Sequence, residues 1–168
     1  MSVDNLYRIP FVSLKNGIHN YEFEADETFF QHFEESLIEK AEISYSVELE
    51  RLTTLMNLLV NLSGTVTVLC DRCGDILEKE IRGTFNLVVK FGDESSDVID
   101  DIIVLGPAEH ILNLDQLFYE YAHLCLNQKN VHDSVDMCNQ KALEELSKYE
   151  LRESEDIDPR WSKLKDLK

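Results

Sequence analysis

Positive charge is scarce in this 168-residue chain. Its 16 lysines and arginines stand against 33 acidic residues, a formal net charge of −17. Such a surface repels phosphate at long range and attracts basic partners, so nucleic-acid contact would need a locally basic site against the overall field. Long apolar runs are also missing. Nothing approaches the roughly eighteen consecutive apolar residues that a spanning helix needs. The opening, Met1 to Arg8, shows no basic start followed by an apolar stretch, so no export leader is visible and a cytoplasmic protein is expected. Four cysteines are too few for a disulfide scaffold, which leaves thiols, metal ligands or core residues. There is no internal repeat and no low-complexity tract.

Apolar residues make up 43% of the chain, enough for one real core. Leu6 to Tyr21 alternates loosely around Pro10 and Gly17 and reads as one or two edge strands. Asp26 can cap a helix that carries Phe29, Phe30, Phe33 and Leu37 on one face and ends near Lys40. Ile43, Tyr45, Val47 and Leu49 alternate with Ser44, Ser46, Glu48 and Glu50, the period of a strand with one wet face. Further strands are expected from Thr54 to Leu69, with a bulge at Ser63-Gly64, and from Ile76 to Phe91. Their short connections argue for an antiparallel meander. Gly92 to Asp101 reads as a solvated acidic loop, and Ile102 to Leu105 as a short extended segment.

The last third reads as helical. Asn113 and Gln116 resemble a capping pair, and Leu114, Leu117, Phe118, Tyr121 and Cys125 form one apolar stripe. After a polar link, a second helix is expected from near Ser134 to Tyr149, burying Leu143 and Leu146. The expected fold is therefore α+β: a mainly antiparallel sheet with an N-terminal helix and C-terminal helices. Residues 1–149 form one domain, β-rich over 1–105 and helical over 113–149. Residues 150–168 form an acidic linker and a short basic helix that starts at Asp158-Pro159.

Cys70-Asp71-Arg72-Cys73-Gly74 is the most informative segment, placed between two expected strands. Thiolates separated by two residues can both reach one metal ion, and the following glycine lets the backbone turn its amides toward sulfur. A closed structural site needs further ligands, for which His132 and Cys138 are the candidates. Cys70, Cys73, His132 and Cys138 would together hold one structural Zn2+. Two other readings stand beside it: a hairpin with reduced thiols, and a redox pair. The redox reading is weakened because the pair follows a strand rather than opening a helix.

Cys125 reads as a small core residue. His19, His32, His110 and His123 have no nucleophile or carboxylate at useful spacing. No Gly-rich phosphate loop, nucleophile elbow or paired-carboxylate pattern occurs, so no catalytic residue is assigned and no enzyme is expected. Candidate partner contacts are of both signs. Asp93, Glu94, Asp97, Asp100 and Asp101 form an unbalanced acidic run, while Arg160, Trp161, Lys163 and Lys165 make the densest basic stretch. Arg72 is the lone cation beside the cysteines.

The Cys70-Asp71-Arg72-Cys73-Gly74 turn after a Val-rich strand resembles the Cys-x-Arg-Cys signature of the YceD family, the large ribosomal RNA subunit accumulation proteins. Val131-His132-Asp133-Ser134 with Cys138, and the closing Asp158-Pro159-Arg160-Trp161 with Leu164, are similar to that family too. The chain departs from it at Leu126-Asn127-Gln128-Lys129-Asn130, where many relatives carry prolines, and in lacking the fuller C-terminal cysteine set of some relatives. The resemblance implies a non-enzymatic cytoplasmic factor needed for 23S ribosomal RNA to accumulate or be processed. Family genes often neighbour one for a small basic protein of the large subunit. A basic ribosomal protein or a large-subunit precursor is therefore the expected partner, with direct RNA contact left open and no membrane or small-molecule substrate. A zinc-stabilised adaptor for another basic partner, and a thiol oxidoreductase, are the alternatives.

Overall fold

The computed structural model describes residues 6–93, 95–99 and 101–149, the backbone alone over 96–99. Three long strands dominate: β3 (Lys40–Arg51), β4 (Leu55–Leu69) and β5 (Ile76–Phe91). Each alternates buried and exposed positions, as a strand with one wet face must. Before them come β1 (Arg8–Pro10), β2 (Gly17–Asp26) and α1 (Glu27–Phe30). After them come β6 (Ser96–Ile99), β7 (Ile102–Leu105), β8 (Ile111–Asn113), α2 (Asp115–Leu124), a 3-10 turn over Val135–Met137 and α3 (Gln140–Tyr149). The main sheet has the order β2-β3-β4-β5-β7-β6, while β1 and β8 pair separately. The architecture is α+β with a mostly antiparallel sheet.

One pairing breaks the meander. β7 runs parallel to β5, from Val88 opposite Ile102 to Phe91 opposite Leu105. The chain manages this without a helical crossover because β6 carries it back along the outer edge, antiparallel to β7. The segment expected to be a solvated loop thus contains a strand.

The core lies on the inner face of the sheet. Ile43, Tyr45, Leu49, Met56, Leu58 and Leu87 meet Phe29 and Phe30 of α1 and Leu114 and Phe118 at α2, all essentially inaccessible. Burying a side chain of this size is worth about 1.5–3 kcal/mol, so this layer is the main source of stability. The Tyr45 hydroxyl donates to the Phe118 carbonyl at 2.8 Å, and the two rings stack 4.1 Å apart. Phe85 stacks on Tyr121 at the same centroid distance.

The structure corrects several expectations. The helix capped by Asp26 lasts a single turn, preceded by two strands, and Leu37 is 64% exposed. Its aromatic residues turn inward at once: Phe30 packs edge-on to Phe29, and Phe33 stacks on Tyr119 at 4.0 Å. The backbone must then straighten, since Glu39 already donates to Thr67 at the start of the β3–β4 ladder. No bulge occurs at Ser63-Gly64, where the register runs unbroken from Ser44↔Ser63 to Ile43↔Gly64. Glycine is required at 64 because a Cβ would lie 2.1 Å from the Glu42 carbonyl oxygen. At α2 the N-cap is Leu114 rather than Asn113, and the Asp115 carboxylate accepts from the Gln116 amide. The second C-terminal helix starts only at Gln140. It buries no residue: Leu143 is half-buried and Leu146 is 51% exposed.

Candidate metal centre

The β4–β5 hairpin ends in the turn Cys70 to Asp75. Cys70 donates its amide to the Asp75 carbonyl at 2.8 Å, extending the ladder, and Gly74 donates back to the Cys70 carbonyl at the same distance. Gly74 has φ +75°, a left-handed conformation that a side chain would resist, so the glycine is needed to close the loop. The turn leaves Cys70 2% exposed and Cys73 half-buried.

Chain from beyond α2 completes the site. Asp71 donates its amide to the Asn130 carbonyl at 2.7 Å, and its carboxylate accepts from the Asn130 amide at 2.5 Å. This reciprocal pair sets the following residues across the hairpin tip. His132 lands with Nδ1 3.7 Å from the Cys73 sulfur and 3.6 Å from the Cys138 sulfur. Cys138 closes the 3-10 turn, donating its amide to the Val135 carbonyl at 3.0 Å. The four ligand atoms of Cys70, Cys73, His132 and Cys138 lie within 4.8 Å of one another.

These distances can be set against a metal. Arms of about 2.3 Å to sulfur and 2.05 Å to nitrogen at the tetrahedral angle put sulfur and nitrogen roughly 3.6 Å apart. The two observed sulfur–nitrogen separations match. The imidazole is also prepared for ligation, since its Nε2 faces the Ile76 carbonyl at 3.3 Å. Donation there leaves Nδ1 as the free donor aimed at the thiols, the usual outer arrangement of a ligating histidine. Three sulfurs and one imidazole are a donor set that suits Zn2+.

The electrostatics agree. Burial would raise the Cys70 thiol, but amides of Arg72, His132 and Cys73 and the Cys73 side chain outweigh it and bring the thiol down to about 6. Cys138 moves the other way, pushed up by burial and by the neighbouring cysteines, against a lowering contact from Arg72. The Arg72 guanidinium donates to the Cys138 sulfur at 3.6 Å, so this candidate partner contact points into the cluster. Thiolates gathered this closely repel one another unless a cation sits among them.

The other candidates lie elsewhere. Asp93 is exposed beyond the far end of β5, about 50 Å along that strand from the hairpin turn at 3.3 Å per residue. Asp101 is exposed at φ +60°, and its carbonyl accepts from the Val88 amide at 2.9 Å. Glu94 and Asp100 fall outside the described residues, as does the Asp97 side chain. Arg160, Trp161, Lys163 and Lys165 lie outside them as well. Cys125 is half-buried against the core.

Sequence reasoning treated the wet face of β3 as a secondary-structure signal only. On the assembled sheet it joins Glu22, Glu24 and Asp26 of β2 and Glu78 and Glu80 of β5, all exposed, to Glu42, Glu48 and Glu50. Asp26 stands directly opposite Glu42. Lys40, Arg82 and Lys90 are the cations on the same face among the described residues. A shallow depression of about 440 Å³ occupies its middle, floored by Ser44, Ser46, Asn61 and Ser63, with Glu22 and Glu24 on its β2 side and Arg82 and Thr84 on its β5 side. The signal was present in the run of acids at every second position, but only strand pairing places them side by side.

Fold and site together define an α+β protein whose hairpin tip and C-terminal segment share a Cys3His cluster. The chain belongs to the YceD family, described as large ribosomal RNA subunit accumulation protein YceD, whose family model matches residues 58–168, more than half of the sequence. The matched region contains all four residues of the cluster. No curated protein and no solved structure matches the chain. The family is named for a role in ribosomal RNA accumulation rather than for a reaction. No helix among the described residues is long and apolar enough to cross a membrane.

Proposed function

We propose that this protein is a non-enzymatic, cytoplasmic ribosome-biogenesis factor that supports accumulation or processing of 23S ribosomal RNA by holding a basic ribosomal protein or a pre-50S particle. The observation that carries the reading is the open acidic face of the sheet. One side of β2 to β5 is sealed by the core, and the other gathers carboxylates on the β2–β3 pair and at Glu78 and Glu80 of β5, with uncharged β4 between them and Lys40, Arg82 and Lys90 as the cations among the described residues. Such a surface steers and holds positively charged clients. The acidic run at Asp93, Glu94, Asp97, Asp100 and Asp101 adds to the negative charge of the chain. The basic stretch at Arg160, Trp161, Lys163 and Lys165 offers a contact of opposite sign, for RNA or for an acidic protein surface. Sedimentation of a lysate through a gradient tests the idea. Comigration with large-subunit precursors at low salt, lost at high salt, is expected; residence at the top of the gradient at low salt overturns it.

In this reading Cys70, Cys73, His132 and Cys138 hold one structural Zn2+. The ion would supply a crosslink between two distant parts of the chain and no reaction chemistry. Purified protein should contain one equivalent of zinc. Absence of zinc, with unfolding unchanged by chelator, removes this part. Thiol exchange is the weaker alternative, because the cysteine pair lies on the β4–β5 turn and not at a helix N-terminus, where redox-active pairs gain their reactivity.

A further inference from the structure

The segment from Asn130 to Tyr149 is attached to the molecule in an unusual way. The core built by the sheet, α1 and α2 runs out at Leu126. Beyond that point the buried residues among those described are Asn130, His132 and Cys138, two of them members of the metal cluster. α3 buries nothing. The 3-10 turn before it leaves Val135 and Met137 exposed.

Hydrogen bonds tell the same story. Asn130 pairs with Asp71, Arg72 reaches Cys138, His132 reaches Ile76, and Asn139 donates to Asp75 at 3.1 Å. Every one of these contacts lands on the hairpin turn between Asp71 and Ile76. They are polar bonds, three of them part-buried and the Asn139–Asp75 bond exposed, and each contributes little net against water. A helix of ten residues is marginal alone in water and needs a packed face to persist. Among the described residues the segment therefore lacks both usual means of attachment, an apolar interface and a long self-sufficient helix.

We propose that a metal ion bound by Cys70, Cys73, His132 and Cys138 is the clasp that fastens the segment 130–149 to the β4–β5 turn, so that removing it frees that segment while the sheet stays folded. The inference rests on the metal reading above and deepens it by stating what the ion holds. The division follows from where the ligands come from. Cys70 and Cys73 belong to the hairpin and stay with the sheet, whose core includes none of the four ligand residues. His132 and Cys138 belong to the segment and have no second anchor in the core. The clasp also fixes the direction in which α3 leaves the turn. It thereby sets where Leu143, Leu146 and Tyr149 sit, half-buried, 51% exposed and 80% exposed respectively, along one side of that helix.

Amide hydrogen exchange on the full chain tests this, with zinc bound and after removal by a chelator. Loss of metal should speed exchange on the order of tenfold or more at Asp71, Cys138 and Leu143, while Val47, Val60 and Leu87 in the sheet keep their protection. Cys138→Ser should reproduce the pattern in zinc-containing buffer, and near-UV dichroism from the core aromatics should stay unchanged. Co2+ added to the metal-free protein reads ligation separately, through the thiolate-to-cobalt absorption of a tetrahedral sulfur-rich site. Cobalt bound with that absorption but equal protection in both states overturns the clasp and leaves the metal site standing. No cobalt absorption and no bound zinc overturn the metal site and the clasp together. Loss of protection through the whole sheet on chelation also overturns the clasp, because the segment would then not be separable.

Discussion

Asp26 and Tyr45 show how much a single side chain settles here. The Asp26 carboxylate accepts from the Thr28 hydroxyl at 2.6 Å and from the amides of Thr28 and Phe29 at 2.9 and 3.3 Å, ending β2 and starting α1 in one stroke. The Thr28 hydroxyl, and against the push of burial those two amides, hold the carboxyl below the usual range. Because its folded value is lowered, the stabilisation is complete above the unfolded value and fades as pH falls through the folded one. Asp26→Ala should cost about 1 kcal/mol at neutral pH. The gap between wild type and variant in thermal midpoint should close in acid. Asp26→Asn keeps a capping oxygen and removes the charge facing Glu42, so it should cost less than the alanine variant. Tyr45 is the interior counterpart. Tyr45→Phe keeps the ring stacked on Phe118 and removes only the second bond to that residue's carbonyl, which retains its helical partner within α2, for a loss of about 0.5–1.5 kcal/mol in urea unfolding.

Among the elements, the β3–β4 pair is the tightest test of register. Gly64 lies under the Glu42 carbonyl, and backbone cannot retreat from a Cβ placed 2.1 Å away. Gly64→Ala should therefore destabilise by about 3 kcal/mol or more, while Ser63→Ala beside it on the wet face should be nearly silent. Equal unfolding midpoints for the two would contradict this packing. The long strands were legible because apolar residues recur at every second position over Ile43–Leu49 and, interrupted at Lys79 and Gly83, over Leu77–Val89, the sign of a strand with one wet face. Gly64 misled for a reason local pattern cannot contain: it answers a neighbouring strand twenty residues away, and imitates a bulge. The helix expected to reach Lys40 failed similarly. Its later residues are claimed by tertiary contacts, with the Leu37 amide bonded to the His123 ring at 3.2 Å, which no helical period foretells. In the candidate metal centre the ligand types and the hairpin were readable from Cys70-x-x-Cys73-Gly74. The Asp71–Asn130 pair and the Ile76 carbonyl behind His132 were not, since they exist only once the segment crosses the hairpin tip.

At the scale of the whole molecule the net charge of −17 is distributed with consequences for stability. Like charges directly opposite on paired strands repel, and Asp26 facing Glu42 across β2 and β3 is such a pair. A face kept this acidic weakens its own sheet, and that weakness separates a binding role from mere solubility. Glu42→Gln should raise the thermal midpoint by the equivalent of a few tenths of a kcal/mol, because the repulsion is relieved. The combination Glu22→Gln, Glu24→Gln and Glu48→Gln should leave the fold intact, because all three side chains are exposed and face uncharged residues across the ladder. If the open face holds a cationic client, that triple variant should lose roughly tenfold or more in affinity for large-subunit precursors and show a shallower dependence on salt. Neutralising Asp93 and Asp101 at the far end of β5 should do less. A triple variant that is as stable as wild type, yet sediments with precursors as strongly and with the same salt response, would move the contact away from the sheet and leave its carboxylates with no task beyond keeping the protein in solution.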